Sequence, residues 1–266
     1  MQKTGAIGVF DSGVGGLSVL RHIREVLPSE RLIYVADSGH VPYGDKSREY
    51  IEARSIKLTH FLQLQGADAI VIACNTASAA AAATLRAQFN MPIIAMEPAV
   101  KPAVAASRNG IVGVLATTGT LASARFAALL ERYAGEGEII TQGCPGLVEQ
   151  VEKGELNSPK TRELIQRYTE PLIASGADTL ILGCTHYPFL ASLITDVVGS
   201  NIALVDTGAA VARQLQRRIQ DELPARSSSV STAKFYTTGD EVDAARIMKA
   251  LWGENVAVQQ LPPEYL

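Results

Sequence analysis

Short apolar runs rich in β-branched residues alternate with longer helical patterns along the whole chain. The apolar runs end at small or polar residues, and the stretches between them carry helical spacing or are rich in alanine. Such alternation is typical of parallel sheets with helices on both faces. The sequence therefore predicts an α/β fold, with strands at 7–10, 32–36, 69–73, 92–96, 111–115, 179–183 and 202–206 and helices at 47–65, 75–89, 119–133, 158–174 and 207–221.

Two segments of the chain have similar sequences and place a cysteine at the same point. "GADAIVIACNTASAA" (66–80) and "GADTLILGCTHYPFL" (176–190) both begin with Gly-Ala-Asp and continue through five mostly apolar residues to the cysteine. A second pair, "IGVFDSG" (7–13) and "VGVLATTG" (112–119), lies at a similar spacing. Two α/β units related by duplication would explain both matches, although a strand followed by a polar turn also recurs by chance in such folds.

The last part of the chain resembles neither unit. We expect the residues after 206 to pack against the first unit, with an exposed loop at 222–234 leading into a late strand in "FYTT" (235–238).

Composition and charge restrict the classes of function. A chain of 266 residues suits two domains or one large one, and its net charge of −3 predicts neither a nucleic-acid partner nor an anionic membrane surface. No apolar run has membrane-spanning length, and "MQKTGAIGVF" lacks the apolar core of a signal peptide. We therefore expect a cytoplasmic protein, in which the three cysteines stay reduced and serve some purpose other than disulfide formation.

Polar and nucleophilic side chains follow the predicted strands, at the edge where parallel sheets bind ligands. If the two units face each other, Cys74 and Cys184 point into one cleft, and each precedes a predicted helix whose N-terminal amides favour a thiolate. There are two alternatives: each cysteine has a role in the core, or the cysteines bind zinc. The sequence contains no Cys-x-x-Cys motif, which disfavours a zinc site. The strand-end residues are Asp11, Ser12, Asp37, Ser38, Cys74, Asn75, Thr76, Thr117, Thr118, Thr120, Cys184, Thr185 and His186.

Three further motifs carry weaker signals. Cys144 in "GCPG" has no equivalent segment, which indicates a structural role. "DSGVGG" (11–16) is not a dinucleotide fingerprint, because the third glycine position is Ser18, and its glycines favour a tight turn whose amides hold a carboxylate. "HVPYG" (40–44) either covers the cleft or merely turns the chain. The absence of a cofactor fingerprint predicts activity without cofactor or metal.

Two thiols on opposite sides of a small molecule suit inversion of a carbon centre. One thiolate removes a proton and the other thiol returns one to the opposite face, which is racemisation. Because a proton on the carbon beside a carboxylate is weakly acidic, the site must be closed, poor in water and lined with amides and hydroxyls. A cysteine pKa of about 8.5 needs only modest lowering for this task, and Asp11 and His186 are placed to relay protons to the thiols.

The motifs "FDSGVGGLSV", "VPYG", "ACNTAS" and "LGCTHYP" together resemble the glutamate racemases of the aspartate/glutamate racemase family over essentially the full length. These enzymes need no cofactor and supply D-glutamate for peptidoglycan. The resemblance implies two pseudo-symmetric α/β domains, 1–97 with 207–266 and 98–206, and an active site in the cleft between them. It also implies glutamate as substrate, no nucleic acid or membrane partner, and a homodimer.

The resemblance also implies roles for individual residues. Cys74 and Cys184 match the two bases, with Asp11 and His186 assisting, and the assisting glutamate matches Glu152 with Glu149 as an alternative. "CPGLVEQ" departs from the family, whose members carry bulkier residues after the proline. The short N-terminus lacks the extension linked in some members to activation by a cell-wall precursor, so we expect no such activation. The implied substrate contacts are Asp11, Ser12, Tyr43, Gly44, Asn75, Thr76, Thr118, Thr185 and His186.

Other functions remain as alternatives. Aspartate racemases tend to carry His after "CNTA" and Glu after "CT", whereas this chain has Ser78 and His186, which favours glutamate. Related decarboxylases use a single cysteine, and the presence of both thiols disfavours them. A non-catalytic amino-acid binding module would have no need of a thiol on each side of its ligand.

Overall fold

The computed structural model describes residues 5–223 and 231–266, so most of the loop predicted at 222–234 lies outside the described residues. The described part of the chain contains ten strands that form two entirely parallel sheets. The predicted α/β class is confirmed. The strands are β1 Ala6–Asp11, β2 Leu32–Ala36, β3 Ala67–Ile72, β4 Ile93–Ala95, β5 Ile111–Ala116, β6 Glu138–Gly143, β7 Thr179–Leu182, β8 Ala203–Val205, β9 Ala233–Thr237 and β10 Val258–Gln260.

The helices connect and flank these strands. Within the same residues, no helix is both long and apolar enough to cross a membrane. The α-helices are α1 Leu17–Val26, α2 Arg48–Leu64, α3 Asn75–Gln88, α4 Val100–Ala106, α5 Thr118–Leu121, α6 Ala124–Arg132, α7 Leu147–Glu152, α8 Pro159–Ala174, α9 Ala191–Val198, α10 Gly208–Glu222 and α11 Glu241–Trp252.

Local hydrogen bonds set several helix boundaries. Ser47 and Ser158 cap α2 and α8, each accepting a bond from a backbone amide of the first turn. The single helix predicted at 119–133 is wrong, because α5 and α6 are separate helices. Ser123 separates them, since its hydroxyl accepts the amide of Phe126 and so starts a new helix.

The two sheets repeat one strand order. The larger sheet runs β10-β9-β2-β1-β3-β4 and the smaller runs β6-β5-β7-β8, so β5 to β8 occupy the places that β1 to β4 hold in the first sheet. Gly66 and Gly176, the glycines of the two Gly-Ala-Asp segments, precede the equivalent strands β3 and β7 with φ of 92° and 90°, which glycine adopts readily. Shared topology and shared turn geometry support duplication of one α/β unit.

The chain after 206 returns to the first sheet, as expected. Strand β9 pairs with β2, and β10 adds the outermost strand beside β9. Helix α10 packs against α1 and β4. The sequence did not predict β10 or β6, which lie at sheet edges and are only partly buried. The domain limits 1–97 with 207–266 and 98–206 stay a prediction.

Candidate active site

Both predicted thiols line one cavity between the two sheets. Cys74 and Cys184 each stand two residues beyond the end of a strand, β3 and β7, at equivalent places in the repeated order. Their exposed fractions are only 5% and 7%. The cavity is lined by Ser12, Pro42, Tyr43, Gly44, Cys74, Asn75, Thr76, Thr117, Val148, Cys184, Thr185 and His186.

The first thiol lies at the N-terminus of α3. The amide of Ala77 donates to the Cys74 Sγ at 3.4 Å, and this thiol donates to the Ser12 hydroxyl at 3.8 Å. Burial and the neighbouring Asp11 carboxylate raise the pKa of Cys74 well above its ordinary value, and the Ala77 amide offsets only part of that effect. The expectation of a lowered pKa is therefore wrong for Cys74, and the resting group is a neutral thiol.

The second thiol lies beside an imidazole. The Cys184 Sγ is 3.7 Å from His186 Nδ1, and His186 Nε2 is 2.6 Å from Glu152 Oε1. Burial alone would lower the pKa of His186, but its hydrogen bonds to Cys184 and Glu152 raise it well above the ordinary value. The imidazole thus lies between the Cys184 sulfur and the Glu152 carboxylate, in contact with both.

Of the two candidate glutamates, Glu152 is the one in the site. Its carboxylate contacts His186, accepts the amide of Val14 at 2.7 Å and lies 3.4 Å from the Ser38 hydroxyl. Glu149, three residues earlier in α7, lines a neighbouring cavity instead. The geometry therefore pairs His186 with Glu152.

Asp11 lies behind the cavity wall at the end of β1. Its carboxylate accepts the amide of Gly16 at 2.7 Å, and the hydroxyls of Ser12 and Thr185 approach it at 3.4 and 3.5 Å. Burial raises the pKa of Asp11 from 3.8 to about 6, although the cationic His186 opposes the shift. Such a carboxyl exchanges protons near neutral pH, as a proton relay requires.

The glycines of "DSGVGG" provide space for these groups. A Cβ on Gly13 would lie 2.0 Å from Glu152 Oε1, and a Cβ on Gly15 would lie 2.3 Å from His186 Nδ1. The turn also presents the Val14 amide to Glu152 and, at Gly16, an amide to Asp11. The expectation that these amides hold carboxylates is confirmed.

Asn75 is the cavity residue whose polar atoms are unsatisfied. Its side-chain oxygen and nitrogen are both buried, and neither has a hydrogen-bond partner among the described residues. A buried amide in that state suits a ligand that offers both a donor and an acceptor, as the amino and carboxylate groups of an amino acid do. Its neighbour Thr76 is satisfied within the protein, through hydroxyl contacts with Thr117 at 2.9 Å and Thr120 at 3.1 Å.

The "HVPYG" loop forms part of the cavity wall. Tyr43 and Gly44 line the cavity, and the Gly44 carbonyl lies so close to Gly119 that a Cβ there would be 2.7 Å from it. The loop thus extends from the first sheet to the start of the second unit. Thr117 lines the central cavity, whereas the predicted contact Thr118 lines the neighbouring one.

Metal ligands do not cluster in the described ranges 5–223 and 231–266, where no group of three or more His, Cys, Asp or Glu side chains is arranged to hold an ion. Cys144 is buried away from the central cavity, and burial raises its pKa to about 12.

Two α/β units of one strand order each contribute a thiol to a common cavity. The chain belongs to the Asp/Glu/Hydantoin racemase family, whose family model matches residues 7–215.

Named relatives within that family cover nearly the whole chain. Glutamate racemases of Ectopseudomonas mendocina and Methylococcus capsulatus are 59% and 57% identical to it, over 97% and 96% of this chain and 98% and 95% of theirs. Among solved structures, the Bacillus anthracis glutamate racemase isoform RacE1 matches with a TM-score of 0.89 at 30% identity, covering 98% of this chain and 99% of its own. The Escherichia coli glutamate racemase, solved with L-glutamate and an activator, matches with a TM-score of 0.86 at 32% identity, covering 96% and 97%.

Proposed function

We propose that this enzyme interconverts L- and D-glutamate with Cys74 and Cys184 as its two bases, and that it supplies D-glutamate for peptidoglycan. The observation that carries the proposal is that both thiols, from equivalent places in the two sheets, line one cavity. Glutamate as the substrate is supported by curated glutamate racemases of 53–59% identity and by the related structures bound to L-glutamate and D-glutamate.

The proton transfer requires one cysteine as a thiolate and the other as a thiol. The Cys184 thiolate, beside the His186 cation, removes the α-proton from one face of the bound amino acid and becomes a thiol. The Cys74 thiol then gives its proton to the opposite face of the planar carbanion and becomes a thiolate. The number of protons on the enzyme is unchanged, and the configuration at the carbon is inverted.

The surrounding groups assist binding and return the site to its starting state. Asn75 and the hydroxyls of Ser12, Thr76 and Thr185 offer polar contacts to the substrate in a site that excludes most water, which stabilises the developing negative charge. Asp11 exchanges protons on the Cys74 side, and the His186–Glu152 pair does so on the Cys184 side. No cofactor or metal takes part in these steps.

The proposal also covers the division into domains, the location of the enzyme and its oligomeric state. The two domains comprise 1–97 with 207–266 and 98–206, a division supported by the strands that each sheet contains. The enzyme acts in the cytoplasm as a homodimer, and size-exclusion chromatography with light scattering tests the dimer.

In the decisive experiment, the purified enzyme is incubated with L-glutamate in deuterated water without added cofactor. We expect D-glutamate that carries deuterium at the α-carbon, while the recovered L-glutamate keeps its hydrogen early in the reaction. The donor thiol has exchanged with solvent, whereas the abstracting thiolate holds the substrate's own proton. Chiral chromatography with mass spectrometry measures both species.

Two results would contradict the proposal. Equal deuterium in recovered substrate and product would exclude separate bases for the two faces. Loss of turnover after borohydride or exhaustive chelation, restored by the matching cofactor, would exclude a mechanism with thiols alone. L-aspartate serves as the comparison substrate.

A further inference from the structure

Asp37 is a fully buried carboxylate outside the cavity that binds side chains from three other segments. It directly follows β2, and its neighbour across the sheet is Thr238, which directly follows β9. The Thr238 hydroxyl donates to Asp37 Oδ1 at 2.9 Å. The Tyr43 hydroxyl donates to Oδ2 of the same carboxylate.

Arg54 of α2 supplies the balancing charge. Its guanidinium binds Asp37 through two bonds, Nη2 to Oδ1 at 2.7 Å and Nε to Oδ2 at 3.1 Å. Both side chains are buried, and a buried ion pair is retained only when its geometry satisfies both partners. The same Nη2 donates to the backbone carbonyl of Tyr265, near the end of the chain, at 2.8 Å.

Tyr43 connects this buried pair to the active site. Its ring is buried and its hydroxyl is held by Asp37, while Tyr43 and Gly44 together line the cavity with the two thiols. On the opposite side, Gly44 is close to Thr117, since a Cβ on Gly44 would lie 3.0 Å from the Thr117 Cβ. Residues 40–44, called the wall below, are therefore held on one side by Asp37 and contact the second unit on the other.

We propose that Arg54 is a positioning residue for the racemisation inferred above, acting through Asp37 and the Tyr43 hydroxyl on the wall that covers the two thiols. Arg54 holds the carboxylate, the carboxylate holds the tyrosine, and the tyrosine places Gly44 over the cavity. The Tyr265 carbonyl holds Arg54 from its other side, so the end of the chain also supports the wall.

Two variants weaken this connection while retaining most of the packing. Tyr43→Phe removes one hydroxyl and leaves the Asp37–Arg54 ion pair intact. Arg54→Lys keeps the positive charge but cannot make the bidentate interaction with Asp37. Thr59→Val is the matched control, because Thr59 carries a buried hydroxyl on the same helix, and this hydroxyl donates to the Ser55 carbonyl within α2. The readouts are kcat and KM for glutamate, the thermal midpoint, and the rate at which iodoacetamide modifies Cys74 without substrate.

Loss of a hydrogen bond to a charged group predicts a fall in kcat/KM of about tenfold or more in both variants, mainly through a higher KM. Cys74 modification accelerates in parallel, because a loosened wall admits the reagent. The Thr59→Val control retains wild-type values in both assays.

Wild-type KM and modification rates in Tyr43→Phe would overturn the proposal, as would activity losses that only track the folded fraction. If Arg54→Lys does not fold, Tyr43→Phe still tests the bond through which Arg54 and Asp37 would act on the wall, and wild-type values there overturn the proposal. Absence of racemisation in the wild-type enzyme would instead refute the proposed function, and the modification rates would still test the wall.

Discussion

At the two thiols, one residue type has two different environments. Cys74 is surrounded by Asp11, Ser12 and a helix amide, and remains a neutral thiol. Cys184 lies beside the His186 imidazole, whose pKa is raised by its hydrogen bonds to Cys184 and Glu152. The two thiols therefore have different neighbours before the substrate arrives, a carboxyl beside Cys74 and an imidazole beside Cys184.

Replacing either cysteine by serine, in Cys74→Ser or Cys184→Ser, is expected to remove racemisation in both directions. A serine hydroxyl does not ionise near neutral pH, and loss of a positioned acid or base costs about 10²–10⁴-fold in rate. Chiral chromatography of reactions started from each enantiomer provides the measurement. Cys144→Ser is the control and retains turnover, since Cys144 is buried outside the cavity. Near-normal activity in either active-site variant would return that cysteine to a structural role.

The raised pKa of Asp11 predicts a pH-dependent cost to stability. Because the folded state binds this proton more tightly than the unfolded state, stability falls as pH rises from about 4 to about 6 and then levels off. Asp11→Asn removes the buried charge and is expected to raise the free energy of unfolding by about 1–3 kcal/mol at pH 7.5, while lowering kcat. Urea denaturation across this pH range measures the effect. If the stability advantage of Asp11→Asn over the wild type grew below pH 6, the raised pKa of Asp11 would not be its cause.

The site residues differ in how far they could be predicted. The two thiols were predictable, because they occupy the same position in two similar segments. The carboxyl ends of parallel strands also meet at one edge of the sheet, where ligands bind. Glu152 follows no such pattern, and only the family resemblance identified it. The neutral state of Cys74 depends on burial, and Asp37 meets Arg54 and Thr238 only after folding, so neither feature can be derived from local sequence.

At the scale of elements, the turn after β1 determines how closely the two units approach. Its residues 12–16 lie against Glu152 of α7 and against His186 in the segment after β7. A side chain in this turn would displace the imidazole or the carboxylate, so the turn links the repeated units through backbone atoms.

The substitution Gly15→Ala tests this close approach. The added Cβ would lie 2.3 Å from His186 Nδ1, so the imidazole must move away from Cys184. Overpacking of this kind costs about 1–3 kcal/mol, and we expect kcat to fall by about tenfold or more. Gly143→Ala is the control, because its Cβ would meet ordinary contacts at 3.5 Å and beyond. Unchanged kinetics in Gly15→Ala would show that the turn tolerates a side chain.

Most elements were predictable for a simple reason. Buried central strands such as β1 and β3 carry continuous apolar runs, and every predicted strand has a counterpart. Edge strands such as β6 and β10 are stabilised by pairing with a neighbour rather than by their own burial, so their sequences carry little signal. The break between α5 and α6 depends on the Ser123 hydroxyl, which accepts the Phe126 amide and donates to the Thr120 carbonyl.

At the scale of the whole molecule, the reacting groups are enclosed between the two units. The small exposed fractions of both thiols predict slow reaction of Cys74 and Cys184 with iodoacetamide compared with a free thiol. Saturating glutamate is expected to slow both further and to leave Cys144 unaffected, as peptide mass spectrometry measures. Modification of Cys74 and Cys184 that glutamate leaves unchanged would place the substrate elsewhere.

The repeated strand order has a consequence for flux. Mirror-image amino acids have equal free energy in water, so the equilibrium constant is one and the Haldane relation makes kcat/KM the same for both enantiomers. In the proposed mechanism each unit supplies a base to one face, and the unlike neighbours of the two bases allow kcat and KM to differ individually between the enantiomers. The enzyme therefore cannot make either enantiomer accumulate beyond the equal mixture. The net direction of turnover is set by whichever later reaction consumes D-glutamate.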